Sequence, residues 1–164
     1  MILELEPIFN NIGAQKDFSY EISLADEDIM GFKPFRTPVK VTGAVKNTTG
    51  IVTITAKAEF IYHGFCDRCA SELNRKTVVP VEHILVASLN NDEDSSFILI
   101  EDMRLDLDEL VSEDIFLGLP TKYLCDENCK GLCPMCGKNL NEGECGCKKP
   151  VDPRLEALSQ LLDN

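Results

Sequence analysis

Residues 51–62 are Ile51-Val52-Thr53-Ile54-Thr55-Ala56-Lys57-Ala58-Glu59-Phe60-Ile61-Tyr62, and this stretch decides the fold. It is rich in β-branched residues and mostly alternates between apolar and polar side chains, which is typical of a half-buried strand. Val39-Lys40-Val41-Thr42-Gly43-Ala44-Val45 alternates in the same way. Between the two, Asn47-Thr48-Thr49-Gly50 has the residues that turns favour. The pattern predicts two antiparallel strands joined by a turn.

More strands are predicted on either side of this pair. Residues 18–24 alternate with period two before it, and residues 77–89 and 97–100 form strand-like runs after it. Cys66 and Cys69 lie between the predicted strands 51–62 and 77–89. We therefore expect an antiparallel β meander with a cysteine pair in one of its turns.

Helix signals appear only late in the chain. Asp106-Leu107-Asp108-Glu109 resembles a capping box and predicts a helix from Leu107 to about Leu117. Asp114 falls inside the apolar arc of this helix, while Phe116 points away from it. We favour a displaced helix end as the explanation. The alternative is a buried, hydrogen-bonded Asp114, because a buried carboxylate requires partners.

The order of these elements predicts an α+β fold, with an antiparallel sheet, a late amphipathic helix, a cysteine-rich, zinc-ribbon-like lobe and a C-terminal helix. The last helix is expected to begin at Asp152-Pro153-Arg154, where Asp caps the helix and Pro suits its first turn. Its apolar face consists of Leu155, Leu158, Leu161 and Leu162. Residues 1–120 are expected to form the sheet domain, and residues 121–164 are expected to form the metal-binding lobe and the terminal helix. We expect the two parts to pack as one unit.

The chain is strongly acidic, with a formal net charge of −12. Residues 91–118 contain ten acids and one base, Arg104. We expect a solvated surface there; the alternative is a docking face for a basic partner. Because no stretch approaches the roughly 18 apolar residues of a membrane span, and the N-terminus lacks the basic region of a signal peptide, we expect a cytoplasmic protein.

The eight cysteines follow a metal-binding pattern: Cys66-x2-Cys69, then Cys125-x3-Cys129-x3-Cys133-x2-Cys136-x8-Cys145-x-Cys147. Two thiolates separated by two residues can hold one ion from a tight turn, and tetrahedral zinc needs four ligands. In Cys133-Pro134-Met135-Cys136-Gly137, Pro134 fixes φ within the turn and Gly137 accepts a positive φ after the second ligand. The pattern predicts structural metal, with two zinc ions.

Keeping local pairs intact leaves three ways to divide the cysteines into two sites. We favour Cys133, Cys136, Cys145 and Cys147 as one site, because the eight-residue loop closes a compact ribbon. The other site is then Cys66, Cys69, Cys125 and Cys129, which would link the meander to the tail across a long loop.

Other roles for the cysteines are less favoured. Disulfides suit small secreted domains, and a redox Cys-x-x-Cys site is expected near a βαβ unit and needs only one pair. Iron is not excluded, since four thiolates also hold iron or a cluster. His63, three residues before Cys66, could replace one ligand, but four cysteine pairs leave it no vacancy. His83 has no partner that the sequence identifies.

No catalytic set accompanies the cysteines. The chain has no Gly-rich phosphate loop, nucleophile elbow or His-Glu metalloprotease helix. Four-cysteine zinc sites are usually closed, with no open position for water. We expect a protein that is not an enzyme, and we infer neither a small-molecule substrate nor a membrane.

Several motifs follow one another from the first cysteine pair onward: Cys66-Asp67-Arg68-Cys69, Leu117-Gly118-Leu119-Pro120, Cys125, Cys129-Lys130-Gly131-Leu132-Cys133-Pro134-Met135-Cys136-Gly137-Lys138-Asn139-Leu140-Asn141, Cys145-Gly146-Cys147 and Asp152-Pro153-Arg154-Leu155. Together they resemble the motifs of the bacterial YceD family. The resemblance runs from about Tyr62 to Leu162, and the N-terminal third carries little of it. It implies a role in ribosome biogenesis, in the accumulation of large-subunit ribosomal RNA, without a reaction or catalytic residues.

The charge suggests which kind of partner such a protein has. An acidic chain without an obvious basic, aromatic stripe is a poor reader of single-stranded RNA. We therefore expect an adaptor that binds a basic ribosomal protein or a large-subunit assembly intermediate. Direct RNA contact is a secondary expectation, through Lys130, Lys138, Lys148, Lys149 and Arg154. The alternatives are an iron-binding redox or electron-transfer protein and a metal-stabilised interaction scaffold unrelated to ribosomes.

Overall fold

The computed structural model describes residues 1–29, 31–88 and 97–147. Its strands and helices, in chain order, are β1 (Ile2–Glu4), α1 (Glu6–Asn10), β2 (Gln15–Ile22), β3 (Val39–Thr48), β4 (Ile51–Phe65), β5 (Glu72–Val86), β6 (Phe97–Leu99), β7 (Arg104–Asp106) and α2 (Leu107–Gly118). The fold is α+β and mostly antiparallel, which confirms the predicted class. The C-terminal helix predicted from Asp152 lies outside the described residues.

A five-stranded sheet with the order β2-β3-β4-β5-β6 forms the centre of this fold. The antiparallel register of β3 and β4 runs from Lys40↔Glu59 to Thr48↔Ile51, so the predicted turn at residues 47–50 joins them. Alternate residues of β3 are buried, as the period-two pattern requires. β5 begins at Glu72, earlier than predicted, and its polar first half has side-chain partners on β4: His63 Nδ1 lies 2.6 Å from Asn74 Oδ1, and Lys76 Nζ lies 3.3 Å from Glu59.

The N-terminal region contains elements that the sequence patterns did not predict. α1 is a five-residue helix with Pro7 in its first turn, and Ile8 is its buried residue. β1 pairs with β7 in a separate two-stranded sheet. β1 and β7 have three residues each and are too short to show a periodicity.

β6 lies within the strand predicted at residues 97–100, but it pairs with β5 in parallel, whereas the predicted meander would be antiparallel throughout.

α2 corrects one prediction about Asp114. The helix begins after Asp106, whose side chain accepts a hydrogen bond from the Asp108 N–H, and it continues to Gly118. The helix end is therefore not displaced, and the favoured explanation was wrong. Asp114 Oδ2 lies 2.7 Å from His83 Nε2, and its side chain is only 16% exposed. His83 on β5 is the partner that allows a carboxylate within the apolar arc.

The described residues divide into two compact units, each continuous in space but not in sequence. The sheet unit contains Met1–Gly64 and Glu72–Thr121. The cysteine lobe contains Phe65–Ser71 and Lys122–Asn164, of which the structure describes residues up to Cys147. The predicted division at residue 120, with the two parts packed as one unit, stays a prediction. Within the described ranges, no helix has the length and hydrophobicity of a membrane span.

Asn47 of β3 holds the end of α1 from a buried position. Its side chain is 1% exposed, and Nδ2 donates to the carbonyl oxygens of Ile8, at 2.8 Å, and Phe9, at 3.3 Å. Its Oδ1 accepts from the Gly50 N–H at 3.0 Å. One side chain therefore satisfies the last turn of a helix and the turn between two strands.

We expect Asn47→Ala to lower the free energy of unfolding by about 2–3 kcal/mol, because it leaves buried backbone groups without partners. Urea unfolding followed by circular dichroism would measure this change. Asn10→Ala is the matched control, since Asn10 is exposed on α1 and should shift stability by less than about 0.5 kcal/mol. Equal effects of the two substitutions would contradict the role assigned to Asn47.

Candidate metal centre

The structure brings the eight cysteine sulfurs together in two groups of four. One group contains Cys66, Cys69, Cys125 and Cys129, and the other contains Cys133, Cys136, Cys145 and Cys147. Within each group all sulfurs lie within 4.8 Å of one another. These are the two groups favoured from the spacing. His63 belongs to neither, and within the described residues no other set of three or more metal-binding side chains converges.

The distances between sulfurs fit a shared metal ion better than they fit disulfides. Cys66 Sγ lies 3.8 Å from Cys129 Sγ, and Cys69 Sγ lies 3.5 Å from Cys125 Sγ. Four thiolates placed 2.3 Å from a tetrahedral zinc ion would be about 3.8 Å apart, whereas disulfide sulfurs are about 2.05 Å apart. All eight cysteines are free thiols.

The first pair sits in the turn between β4 and β5. The Cys66 N–H donates to the Ser71 carbonyl at 2.8 Å, and the Ala70 N–H donates to the Cys66 carbonyl at 2.8 Å. Ala70 has a φ of 56°, the left-handed conformation that closes the turn after Cys69. The turn thereby directs both sulfurs to one side, where a single ion can contact them.

Asp67 and Arg68, the residues between the first two cysteines, hold the second half of this group in place. The Asp67 N–H donates to the Tyr123 carbonyl at 2.8 Å, and Asp67 Oδ2 accepts from the Tyr123 N–H at 2.6 Å. Arg68 Nη1 donates to the carbonyl oxygens of Glu127, at 3.3 Å, and Cys129, at 3.0 Å. Protein contacts therefore align the two cysteine pairs across more than fifty residues of chain.

The second group is built on a short ribbon. The Cys133 N–H donates to the Lys138 carbonyl at 2.8 Å, and the Gly137 N–H donates to the Cys133 carbonyl at 2.9 Å. Gly137 has a φ of 72°, which confirms the left-handed conformation predicted for it. Leu132 and Asn139 form an antiparallel bridge that closes the ribbon.

Asn141 connects the two groups. Its side-chain Nδ2 donates to Cys129 Sγ at 3.3 Å, and its Oδ1 accepts from the Lys130 N–H at 2.8 Å. Cys129 belongs to the first group, while Asn141 follows the ribbon of the second. Hydrogen bonds to a ligating sulfur orient it and tune its charge. Sequence spacing did not identify Asn141, Asp67 or Arg68, because their partners are set by the fold.

The sulfurs of each group lie close enough to change one another's pKa values. Burial opposes ionisation of Cys66, but the backbone N–H groups of Cys125, Arg68 and Cys69 lower its pKa to about 6. Contacts with the Cys129 and Cys69 side chains, together with burial, raise the pKa of Cys125 to about 12. Four thiolates at these distances repel one another, and a divalent ion that replaces the remaining protons removes that repulsion.

In the second group, too, the pKa of one cysteine is lowered and that of another is raised. Backbone N–H groups of Cys136 and Met135 lower the pKa of Cys133 to about 6, whereas the Cys136 side chain and burial raise the pKa of Cys147 to about 12. Both donor sets therefore fit a thiolate-binding metal such as zinc. With four sulfurs per ion no position remains for water, so this arrangement suits a structural ion.

We expect Arg68→Ala to weaken metal binding at the first group by about tenfold or more, because both carbonyl contacts that orient Cys129 are lost. Competition with a chromogenic zinc chelator would measure the affinity of each site. Lys122→Ala is the matched control: it removes an exposed cation of the same lobe, and the described chain shows no ion pair for it. Similar affinities for the two variants would contradict the role of Arg68.

The chain is similar to several known proteins. A family model described as "Large ribosomal RNA subunit accumulation protein YceD" matches residues 54–162. The uncharacterized protein YlbN of Bacillus subtilis is 28% identical over 145 residues, which cover 87% of this chain and 82% of that protein. An uncharacterized protein of Mycobacterium tuberculosis is 28% identical over 116 residues, 68% of this chain. The chain spans 55% of that mycobacterial protein's length.

A plant protein adds a shorter match. The maize protein named "Large ribosomal RNA subunit accumulation protein YCED homolog 1, chloroplastic" is 40% identical over 62 residues, which are 37% of this chain and 20% of the maize protein. No solved structure matches the chain.

Proposed function

This chain belongs to the YceD family, and on that premise we propose that it is a non-enzymatic adaptor that supports accumulation of large-subunit ribosomal RNA. The family description names an accumulation protein and no reaction. The observation that carries the proposal is the pair of closed four-sulfur groups. Four sulfurs would fill the coordination of a tetrahedral ion and leave it no position for water, which supports a structural role for the metal in this proposal.

In this proposal each group of four cysteines binds one zinc ion, and the ions stabilise the cysteine lobe. The 3.8 Å separation of Cys66 Sγ and Cys129 Sγ supports this assignment. Iron at the second group is the rival assignment and would make the protein a redox or electron-transfer factor. Metal analysis of protein purified without oxygen distinguishes them, since zinc leaves the protein colourless and iron–sulfur centres absorb visible light.

The partner we propose is a basic ribosomal protein or a large-subunit assembly intermediate in the cytoplasm. A net charge of −12 favours basic partners and repels bare phosphate backbones. Of the cations expected to contact RNA, Lys138 donates to the Glu144 carbonyl at 3.0 Å, and Lys130 is exposed. Lys148, Lys149 and Arg154 lie outside the described residues.

An affinity pull-down at mild salt, with RNA and proteins both identified, tests this function. We expect large-subunit ribosomal proteins or pre-ribosomal particles to be recovered with the metal-loaded protein. The proposal fails if the purified protein binds bare large-subunit RNA tightly, with a steep salt dependence, and ignores ribosomal proteins. Its absence from every pre-ribosomal fraction of a sedimented extract would instead favour a scaffold unrelated to ribosomes.

A further inference from the structure

A groove of about 380 Å³ lies between β6, β7 and α2 in the sheet unit. Its floor is apolar: Ile100, Leu105 and Leu110 are buried there. Leu99 on β6 lines the same groove and is 44% exposed. Part of this apolar surface therefore remains in water, and a partner could cover it.

The rim of the groove is acidic. Its acids are Glu101, Asp106, Glu109 and Glu113, and its base is Arg104. Arg104 donates to Glu4 at 3.0 Å, so its charge is already compensated. Glu101, Glu109 and Glu113 are exposed and form no ion pair with any described residue. A cationic side chain that entered the groove would find three carboxylates that are not paired with any described cation.

One wall of the groove is β6, the last described strand of the five-stranded sheet. β6 ends the order of the five-stranded sheet, and its neighbour on one side is β5. On its other side no described strand pairs with it. After β6, the Ile100 N–H donates to the Val86 carbonyl and so continues the contact with β5, while the Met103 carbonyl accepts from the Leu5 N–H. An exposed edge can pair with an extended peptide from a partner.

We propose that this groove binds an extended segment of a partner protein that carries both lysine or arginine and apolar side chains. Its backbone pairs with β6, its apolar side chains cover Leu99 and the floor, and its cations reach Glu109 and Glu113. This inference rests on the proposed function, because it assigns a docking surface to the basic partner. The acidic rim disfavours a phosphate backbone as the occupant.

The test measures binding of a labelled peptide of about ten residues, with lysine and valine in alternation, to the metal-loaded full chain by fluorescence anisotropy. The groove variant is Glu109→Lys with Glu113→Lys, on the exposed face of α2. The matched control is Asp17→Lys with Glu21→Lys, on β2 at the opposite edge of the sheet. Metal content and thermal unfolding verify that both variants remain folded.

We expect the groove variant to bind the peptide at least about tenfold more weakly at low salt, and the control to bind within about threefold of the wild type. Leu99→Ser should also weaken binding, by about threefold to tenfold, because it removes apolar contact. Equal binding by the groove and control variants overturns the proposal. Deca-lysine that binds as tightly as the lysine–valine peptide also overturns it, since charge alone would then explain the affinity.

Two further outcomes separate this inference from the proposed function. If an unstructured RNA oligonucleotide binds the wild type and competes with the peptide, the groove is not a protein-docking site. If the groove variant recovers ribosomal proteins in the pull-down as well as the wild type does, the groove assignment is wrong and the adaptor function stands. If the wild type itself recovers none, the adaptor function fails whatever the peptide does.

Discussion

Removal of bound metal under reducing conditions is expected to unfold the cysteine lobe and leave the five-stranded sheet folded. Among the described residues of the lobe, Tyr123 is the only buried apolar side chain that is not a cysteine, while Leu132 and Met135 are exposed. A segment this small without a core depends on metal for its fold. Structural zinc contributes about 10 kcal/mol or more per site in such segments.

Hydrogen exchange before and after chelation measures this effect residue by residue. We expect amides at residues 66–71 and 122–147 to lose protection, while β3 and β4 keep theirs, because the apolar side chains of these strands form a separate core. Mass spectrometry of the native protein should count two ions. Cys129→Ser removes one sulfur from the first group, and Cys136→Ser removes one from the second. Each substitution should reduce the number of bound ions from two to about one. A chelated lobe that stays protected would show that metal does not maintain its fold.

Gly43→Val is expected to destabilise the sheet by about 3 kcal/mol, near the upper end of overpacking effects. Gly43 pairs with Phe18 on β2 and with Ala56 on β4. A Cβ at this position would lie 2.4 Å from the Ala56 Cβ and 2.5 Å from the Thr55 carbonyl oxygen. A backbone atom cannot move away as a flexible side chain can, so the larger residue must separate two central strands.

Ala44→Val is the matched control for this substitution. Ala44 is the next residue of β3, it is only partly buried, and its side chain points to the opposite face because successive strand residues alternate. Valine suits an exposed strand position, so stability should change by less than about 0.5 kcal/mol. Urea unfolding of both variants gives the comparison. A Gly43→Val protein as stable as Ala44→Val would show that the sheet can widen at this point.

Sequence patterns predicted those parts of the fold that depend on local periodicity. The alternation in β3 and β4 and the Asp106 cap of α2 were found at or near their observed positions. Sequence patterns failed where long-range contacts decide the structure. β1 exists because it pairs with β7, about a hundred residues later. Asp114 is accommodated because β5 brings His83 to it, and neither residue carries a local signal of the other.

In the candidate metal centre, too, the local features were predicted and the long-range contacts were not. Spacing identified all eight cysteines, because ligand pairs in tight turns are local features. The contacts that align the pairs were missed: Asp67 with Tyr123, Arg68 with Cys129, and Asn141 with Cys129. The groove at β6 was also missed, since its apolar floor and acidic rim come from segments that only the fold brings together.

The sequence by itself determined the local features of this protein: cysteine pairs in turns, an acidic composition and alternating strands. These properties depend on residue type and on separations of a few residues, over which backbone geometry is nearly constant. Only the tertiary structure decided which cysteine pairs share a group. Cys66 and Cys69 are separated from Cys125 and Cys129 by more than fifty residues, and the spacing favoured the observed division without excluding the other two. The Asp67 carboxylate accepts from the Tyr123 N–H and Arg68 donates to the Cys129 carbonyl, and these long-range contacts hold the two turns where four sulfurs converge.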